Sequence, residues 1–413
     1  MVMRNDVFDA ASNRDLGKMQ RLHQAGLIRG HTELRVDQFT PLMSCMRQSL
    51  YHERDLSKRP HIIHIIRLLL DKGANPFATI PCQRWGLLHE AAVYGDIDII
   101  RLIILNGFRN LDMVNRYFHP VNFDGGDEKY VNFVNQRDNK GRTPLHTAVF
   151  EMSMKAYNER DVGIIDLLVE YGADVNATDK RGETPMFMGV QSYFHDPGRY
   201  RNLPLAKALY NQHADIHTPN DDGQTPLHNC TETELITQFL VSNGANVHAL
   251  DTNGQTPIFW AVRCGNLRSF EILVDGGADL HSADLNGETL LHLAHTSIPI
   301  ARFLLAQDVV IDAVNHDGET PFFIAAKFRN LESAMLLWKN GADLNIRDQK
   351  QRSAYDICQN GFQNPVNQVF RMEHVQRLEA LAMACHPRLG KDSLIGSLDP
   401  GVIRQFIPPY IHK

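Results

Sequence analysis

The chain has 413 residues, of which 43% are hydrophobic and 22% charged, and its formal net charge is −6. This composition is typical of a globular protein that can bury a long core. The net negative charge, and the lack of a Lys/Arg cluster that alternates with aromatic residues, argue against nucleic acid as the main ligand. The longest apolar runs are broken by His or Arg and are too short to cross a bilayer, so no membrane association is predicted.

The cysteines indicate the compartment. The six cysteines contain no Cys-x-x-Cys pair and fall mostly inside predicted helices. This pattern favours a reducing compartment over a disulfide framework. Because the N-terminus also lacks a signal-peptide pattern, we expect a cytoplasmic protein.

The first predicted elements are a capping pair of helices over residues 6–26. Two rough copies of a motif follow, one at residues 39–42 (Phe-Thr-Pro-Leu) and one at residues 85–92 (Trp-Gly-Leu-Leu-His-Glu-Ala-Ala). Each copy leads into a second apolar helix. The start of the chain therefore already reads as paired helices.

A closer form of the motif, Gly-x-Thr-Pro-Leu-His or a near variant, then recurs along the chain. Its copies begin at Gly141, Gly182, Gly223, Gly254, Gly287 and Gly318. Gly254 and Gly287 are 33 residues apart, and Gly287 and Gly318 are 31 apart. A nearly constant period of this size indicates a repeat protein.

Each copy encodes a helical hairpin. Thr-Pro opens the first helix, because the hydroxyl can cap it and proline is tolerated in the first turn. In the unit that begins at Gly254, residues 269–274 form a second apolar helix, and Gly276-Gly277 is predicted to end it in the left-handed conformation. Segments such as residues 251–254 predict short hairpin turns. Neither helix can bury its apolar stripe alone, so neighbouring units must stack.

With this period and motif, the chain resembles the ankyrin-repeat family over roughly residues 5–355. The resemblance implies an all-α solenoid of helix-turn-helix units, joined by short β-hairpin-like loops and closed by helical caps. It also implies a protein partner on the concave face rather than an enzymatic activity. We therefore expect residues 1–355 to form a solenoid of about eight to nine units.

Insertions interrupt the regular period. Three of them lie between the paired helices of a unit, near residues 50–60, 152–161 and 193–202, so they should extend the same edge of the solenoid. A fourth, at residues 108–135, lies between units and is either a tolerated surface excursion or a lobe that contacts a partner.

The resemblance places partner-contacting residues at the hairpin tips and at the exposed end of each first helix. The helix candidates are Tyr94, Phe150, Glu151, Ser192, Arg263, Lys327 and Phe328. The tip candidates include Lys140, Arg142 and Arg181. Aromatic and arginine side chains at such places offer a large contact area, although Phe150 and Phe328 could instead pack on the adjacent unit. The tips are basic over residues 139–181 and become acidic or neutral after Gly254.

The histidines follow the repeat. His89, His146, His228 and His292 occupy the motif position, where the family role is a hydrogen bond to the neighbouring turn. No cluster with metal-ligand spacing is present, so no metal site is predicted. The resemblance also makes Asn176 and Asn345 candidate targets of a 2-oxoglutarate-dependent hydroxylase.

No sequence signature of catalysis is present. The chain contains neither a nucleophile elbow, nor a phosphate-binding loop, nor the kinase motifs. We therefore predict a non-enzyme with no catalytic residue and no cofactor.

Residues 356–413 break the repeat and should form a helical cap or a docking segment. A long helix is predicted over residues 365–385. Beyond it lies a short amphipathic helix opened by Asp-Pro, with an apolar face made of Val402, Ile403, Phe406 and Ile407. This helix is similar to the box motifs of ankyrin-containing ubiquitin-ligase adaptors, but it lacks their Leu-Pro-x-Glu opening.

Three functions stay open on the sequence alone. The first is a protein–protein interaction module or scaffold. The second is a substrate-recruiting ubiquitin-ligase adaptor that uses residues 386–413 to bind a ligase component. The third is an ankyrin effector that acts in a host cytosol.

Overall fold

The computed structural model describes residues 2–25, 27–28, 40–47, 59–80, 83–118, 133–154, 159–191, 202–359 and 365–373. These residues divide between two compact units, unit 1 (Met1–Thr252) and unit 2 (Asn253–Lys413). The division falls inside the predicted repeat region rather than after residue 355.

Unit 1 is built from helices and one two-stranded antiparallel ladder. In chain order its elements are α1 (Val2–Ser12), α2 (Leu16–Gln24), α3 (Pro41–Arg47), α4 (Arg59–Asp71), β1 (Thr79–Ile80), β2 (Trp85–Gly86), α5 (Leu87–Tyr94), α6 (Ile97–Phe118), α7 (Pro144–Met154), α8 (Glu159–Glu170), α9 (Pro185–Val190), α10 (Asn202–Asn211), α11 (Pro226–Asn229) and α12 (Glu234–Ser242). In the ladder Thr79 pairs with Gly86, and Ile80 pairs with Trp85. From α5 onward, the first helix of each pair is called inner and the second outer.

Unit 2 continues the same alternation of inner and outer helices. Its elements are α13 (Pro257–Cys264), α14 (Leu267–Asp275), α15 (Leu290–Leu293) with a 3-10 turn (Ala294–Thr296), α16 (Ile298–Leu305), α17 (Pro321–Lys327), α18 (Leu331–Lys339) and α19 (Ala354–Gln359). Residues 367–373 are also helical. The predicted all-α ankyrin architecture is confirmed.

The Thr-Pro pair starts the inner helices as the sequence predicts. Thr184 lies in extended backbone immediately before α9, and its hydroxyl accepts a hydrogen bond from Phe187 N at 3.2 Å. Thr320 does the same before α17, where it accepts from Phe323 N at 3.2 Å. Each hydroxyl satisfies one backbone N–H that has no partner within the first turn.

The outer helices end in left-handed backbone. Gly277 has φ +90°, whereas Gly276 is still helical at φ −74°, so only the second glycine of the predicted pair supplies this conformation. His213 (φ +63°) and Asp308 (φ +53°) occupy the same position in other repeats. A residue with a Cβ is strained there, which glycine avoids.

Buried acidic side chains organise hairpin turns in both units. Asp284 Oδ1 accepts hydrogen bonds from the backbone N of Asn286 and of Glu288, both at 2.9 Å. In unit 1, Asp138 Oδ1 accepts from the backbone N of Lys140 and of Arg142, both at 2.8 Å. The turn is therefore specified locally in both units.

Backbone hydrogen bonds join one hairpin tip to the next. Asn139 N donates to Gln83 O at 2.8 Å, and Lys180 N donates to Lys140 O at 2.9 Å. Gly141, with φ +80°, allows this approach, because a Cβ there would lie 2.9 Å from Lys180 N. Backbone hydrogen bonds thus join these tips in series within unit 1.

The motif histidines tie the inner helices that carry them to the next hairpin. His146 Nδ1 accepts from Thr143 N at 3.1 Å, and Nε2 lies 3.1 Å from Glu183 O. Since Nδ1 accepts and a carbonyl cannot donate, the proton belongs on Nε2. Burial lowers the pKa of His146 to about 4, which keeps this neutral tautomer. Two further histidines make the same link, His89 to Arg142 O and His292 to Glu319 O, each at 3.0 Å.

The core lies between successive helices of the stack. In unit 2, Phe270 and Leu273 of α14 are fully buried, and the Phe270 ring packs edge-to-face on Phe303 of α16 at 5.3 Å. In unit 1, Tyr210 of α10 meets Phe239 of α12 at 5.6 Å in the same way. Outer helices of neighbouring repeats therefore bury each other, as expected for a repeat protein.

The predicted insertions are described only in part. Helix α6 runs to Phe118, so the first residues of the predicted insertion at 108–135 continue an outer helix instead of forming a loop. The central parts of all four insertions, and residues 374–413 with the candidate docking helix, lie outside the described residues.

Candidate partner-binding face

In each unit, the hairpin tips and the exposed ends of the inner helices are together called the tip-and-helix face of that unit. In unit 1, Lys140 and Arg181 are exposed at their tips, whereas Arg142, Tyr94, Phe150 and Glu151 are half-buried. In unit 2, Arg263, Lys327 and Phe328 are exposed. Ser192 lies outside the described residues.

Arg142 is held between two aromatic rings. Its guanidinium carbon lies 5.8 Å from the centre of the Trp85 ring and 5.9 Å from that of Phe150. The same group donates to Asp138 Oδ2 through Nε at 3.0 Å and forms an ion pair with it at 2.9 Å. Because its side chain is only 16% exposed, Arg142 mainly orders the two rings.

Trp85 is a residue of this face that the sequence did not single out as a contact candidate. Its Nε1 donates to Glu90 Oε2 at 2.8 Å, and its ring lies 5.1 Å from that of His89. Aligning residues 85–89 with Arg142 to His146 would have found it, because Trp85 stands at the repeat position that Arg142 occupies.

The tips of unit 1 carry a run of positive charge. Arg84, Lys140, Lys180 and Arg181 are all exposed, and their tips are consecutive in the ladder of backbone hydrogen bonds. Arg181 forms an ion pair with Glu183, while Lys140 and Lys180 pair with no carboxylate that the structure describes.

The same face in unit 2 is charged but internally paired. Arg263 donates to Gln255 Oε1 at 2.9 Å and lies 5.6 Å from the Trp260 ring. Lys327 Nζ contacts both carboxylate oxygens of Glu319, at 2.8 and 2.9 Å. The pKa of Glu288 is raised, first by burial and then by the negative charges of neighbouring carboxylates.

Phe328 is the most exposed aromatic ring among the predicted contact residues. It has 62% relative exposure, yet its ring stacks on that of His295 at 4.7 Å with an interplanar angle of 14°. The backbone beneath is fixed as well, because His295 O accepts from Asn330 Nδ2 at 2.5 Å and from Ser333 Oγ at 2.9 Å. The ring thus packs on the preceding repeat, as one alternative predicts, and contact of its exposed part with a partner stays a prediction.

Comparison with known proteins agrees with this architecture. A family model described as ankyrin repeats (3 copies) matches residues 64–179, 194–284 and 269–348. The chain belongs to the ankyrin-repeat family. Its ankyrin repeats are similar to those of proteins that are otherwise larger.

Two curated relatives illustrate this similarity. An "Ankyrin repeat and LEM domain-containing protein 1 homolog" of Caenorhabditis elegans is 34% identical over 95 residues, which cover 22% of this chain and 14% of the relative. A "Putative palmitoyltransferase ZDHHC13" of Danio rerio is 30% identical over 128 residues, covering 30% of this chain and 20% of the relative. The match therefore spans a fifth or less of either relative.

The two candidate modification sites are both exposed in the ankyrin turns. Asn176 Oδ1 accepts from Asp215 N at 2.8 Å, a bond that joins two repeats. Asn345 Nδ2 donates to Asp343 Oδ1 at 2.9 Å, within its own turn. Asn135 makes the same inter-repeat bond as Asn176, because its Oδ1 accepts from Asp174 N at 2.8 Å. Hydroxylation of Asn176 and Asn345 stays a prediction.

Two features are absent from the part of the chain that the structure describes. No group of three or more His, Cys, Asp or Glu side chains there could hold a metal ion. No helix in the same residues is long and apolar enough to cross a membrane.

Proposed function

We propose that this ankyrin-repeat protein is a protein–protein interaction module or scaffold that binds its partner through the tip-and-helix face. This proposal rests mainly on Phe328, whose ring stacks on that of His295 although the residue is 62% exposed. Large rings with few rotatable bonds give much contact area for a small loss of conformational entropy. Phe328 therefore has the character of an interface anchor.

The neighbours of Phe328 complete this anchor. Lys327, which precedes Phe328 in the chain, forms an ion pair with the buried Glu319, which lies just before the start of α17. Polar groups that surround a central ring and exclude water are typical of energetic centres in interfaces. We infer binding, rather than catalysis, as the role of this face.

The test is a comparison of two truncations in unit 2. Phe328→Ala removes the proposed anchor, and Val310→Ala removes a side chain that is 69% exposed in the turn after an outer helix. Each tagged full-length variant would be used to capture partners from cell extract, with quantitative mass spectrometry as the readout. We expect at least one partner to be lost with Phe328→Ala and retained with Val310→Ala. Equal recovery with both variants, at unchanged melting temperatures, would contradict the proposal.

The finer functions are proposals with separate tests. Adaptor activity would rest on the amphipathic face of Val402, Ile403, Phe406 and Ile407. It predicts that a chain ending at His386 loses ligase components but keeps its other partners. A role as an effector in a host cytosol predicts partners from that host.

Cytoplasmic location is proposed from the cysteines. Cys45, Cys230 and Cys358 are buried as free thiols, and burial raises the pKa of each to about 12. Such thiols are unreactive and suit a reducing compartment. Fluorescence microscopy of the tagged chain tests this location.

A further inference from the structure

The strongest unexplained feature is the charge distribution along the tips of unit 1. Arg84, Lys140 and the pair Lys180 and Arg181 lie on three consecutive tips, and Asp221 with Asp222 forms the next one. Asp221 N donates to Arg181 O at 2.9 Å, so the side-chain charge changes from positive to negative between two tips that are directly hydrogen-bonded. The cations thus form a short stretch with a defined end.

This basic stretch adjoins an ordered aromatic row. Trp85 follows Arg84 in the chain, and Arg142 lies two residues after Lys140 in the same hairpin. Arg142 bridges the rings of Trp85 and Phe150, which remain half-buried. Positive tips therefore run beside ring edges that are fixed before any ligand binds.

We propose that the basic tips of unit 1 bind an extended acidic peptide segment of the partner protein. Its carboxylates lie over Lys140 and Lys180, and an apolar side chain packs against the edges of Trp85 and Phe150. This inference rests on the proposed function and names the chemistry of the partner. Complementary charge would speed association and fix the direction of the peptide, because the tip at Asp221 repels its acidic end.

A nucleic acid fits the same surface less well. Single strands bind by stacking bases on aromatic faces, but Arg142 already lies over one face of the Trp85 ring and one face of the Phe150 ring. A phosphate backbone is also negatively charged at every nucleotide. A strand that extended past the three basic tips would therefore be repelled by Asp221 and Asp222. A short acidic peptide avoids both conflicts.

The experiment selects peptides on the intact chain. A phage-displayed random peptide library is panned against the immobilised full-length protein, and recovered sequences are remade as fluorescent peptides for anisotropy titrations. The tip variant is Lys140→Glu with Lys180→Glu. Its matched control is Lys72→Glu with Lys207→Glu, which makes the same change in net charge at exposed positions of unit 1.

Recovered peptides should be enriched in Asp and Glu and contain an apolar residue. We expect the tip variant to weaken their binding by at least about tenfold, and the control to stay within about twofold. Raising the salt concentration should weaken binding to the wild type, since exposed charges are screened. Circular dichroism and melting curves would verify that both double variants fold.

Four outcomes would overturn the inference. The first is recovery of peptides with no acidic enrichment. The second is equal weakening by the tip variant and the control. The third is tighter, tip-dependent binding of a single-stranded oligothymidylate than of any peptide. Peptides that depend on Phe328 but ignore the tips would contradict this inference while leaving the proposed function intact.

Discussion

Units 1 and 2 use the same turn but present different side chains on it. Asp138 and Asp284 each accept two backbone hydrogen bonds that close a hairpin. At the tip residue two positions after the buried side chain of the turn, unit 1 has Lys140 after Asp138, whereas unit 2 has Asn286 after Asp284 and Asp317 after Asn315. The backbone bonds need no particular side chain at the tip, so its chemistry can vary without cost to the stack.

The ends of the inner helices differ in the same way. In unit 2, Glu319 and Lys327 neutralise each other, and Arg263 bonds to Gln255. In unit 1, two tip lysines carry positive charge without a described carboxylate partner, next to the rings that Arg142 orders. We infer that unit 1 offers charge complementarity, whereas unit 2 offers the exposed ring of Phe328.

The largest expected effect tests whether the two cores are equivalent. Leu240 in α12 and Leu273 in α14 occupy the same repeat position, and both are fully buried. Replacing either with Ala should cost about 2–5 kcal/mol, because transfer energy is lost and a cavity remains. Urea denaturation midpoints measure this loss. Leu285→Ala is the control and should change the free energy of unfolding by less than about 0.5 kcal/mol.

A result in which only one of the two variants is destabilised would break the equivalence of the two cores. An unchanged midpoint for Leu273→Ala would contradict its core assignment. A second, separate unfolding step in either variant would show that the two units lose their structure independently.

The next effect is the pH dependence of the motif histidines. Burial lowers the pKa of His146 in unit 1 to about 4 and also lowers that of His292 in unit 2. The unfolded chain, with an ordinary pKa of about 6.5, binds protons more readily than the folded chain. The stability from the neutral His146 ring is therefore complete above about pH 6.5 and is lost as the pH falls toward about 4, and the contribution of His292 falls with pH in the same direction.

His146→Ala should cost about 1–3 kcal/mol at pH 7.5, because Thr143 N and Glu183 O lose their buried partner. Its penalty should shrink at pH 5, where the wild type has itself lost stability. Urea midpoints at the two pH values test this, with the exposed His248→Ala as the control. A penalty of equal size at both pH values would argue against the neutral buried ring.

The repeat and its helix starts could be predicted from the sequence because their causes are local. Thr184 and Thr320 cap the helices in which they were expected. Only one of the two rings beside Arg142 could be predicted. Phe150 follows from the repeat register, whereas Trp85 lies in a copy of the motif that lacks Thr-Pro. The sandwich around Arg142 depends on residues 57 positions apart (Trp85 to Arg142), and no local pattern encodes such a contact.

A smaller effect compares the helix caps of the two units. Thr184→Ala in unit 1 and Thr320→Ala in unit 2 each remove a bond of 3.2 Å to a backbone N–H in the first turn. We expect each to cost about 1 kcal/mol. The matched control is Thr→Ser at each position, which keeps the hydroxyl and should retain most of the stability. Thermal unfolding of the four variants is the measurement. If the Ala variant lowers stability in one unit only, packing rather than the threonine cap fixes the start of the inner helix in the other unit.

The smallest effect is a gain in stability at the ends of the outer helices. His213 in unit 1 and Asp308 in unit 2 hold the left-handed position that Gly277 holds in another repeat. Replacing either residue with Gly removes Cβ strain of about 1–2 kcal/mol, but it also adds conformational freedom to the unfolded chain, which opposes part of the gain. We expect a net stabilisation of about 0.5–1 kcal/mol at each site, measured as a higher urea midpoint. The reverse change, Gly277→Ala, should destabilise the chain, and because a Cβ added there would meet no atom within 4 Å, the loss would report backbone strain alone.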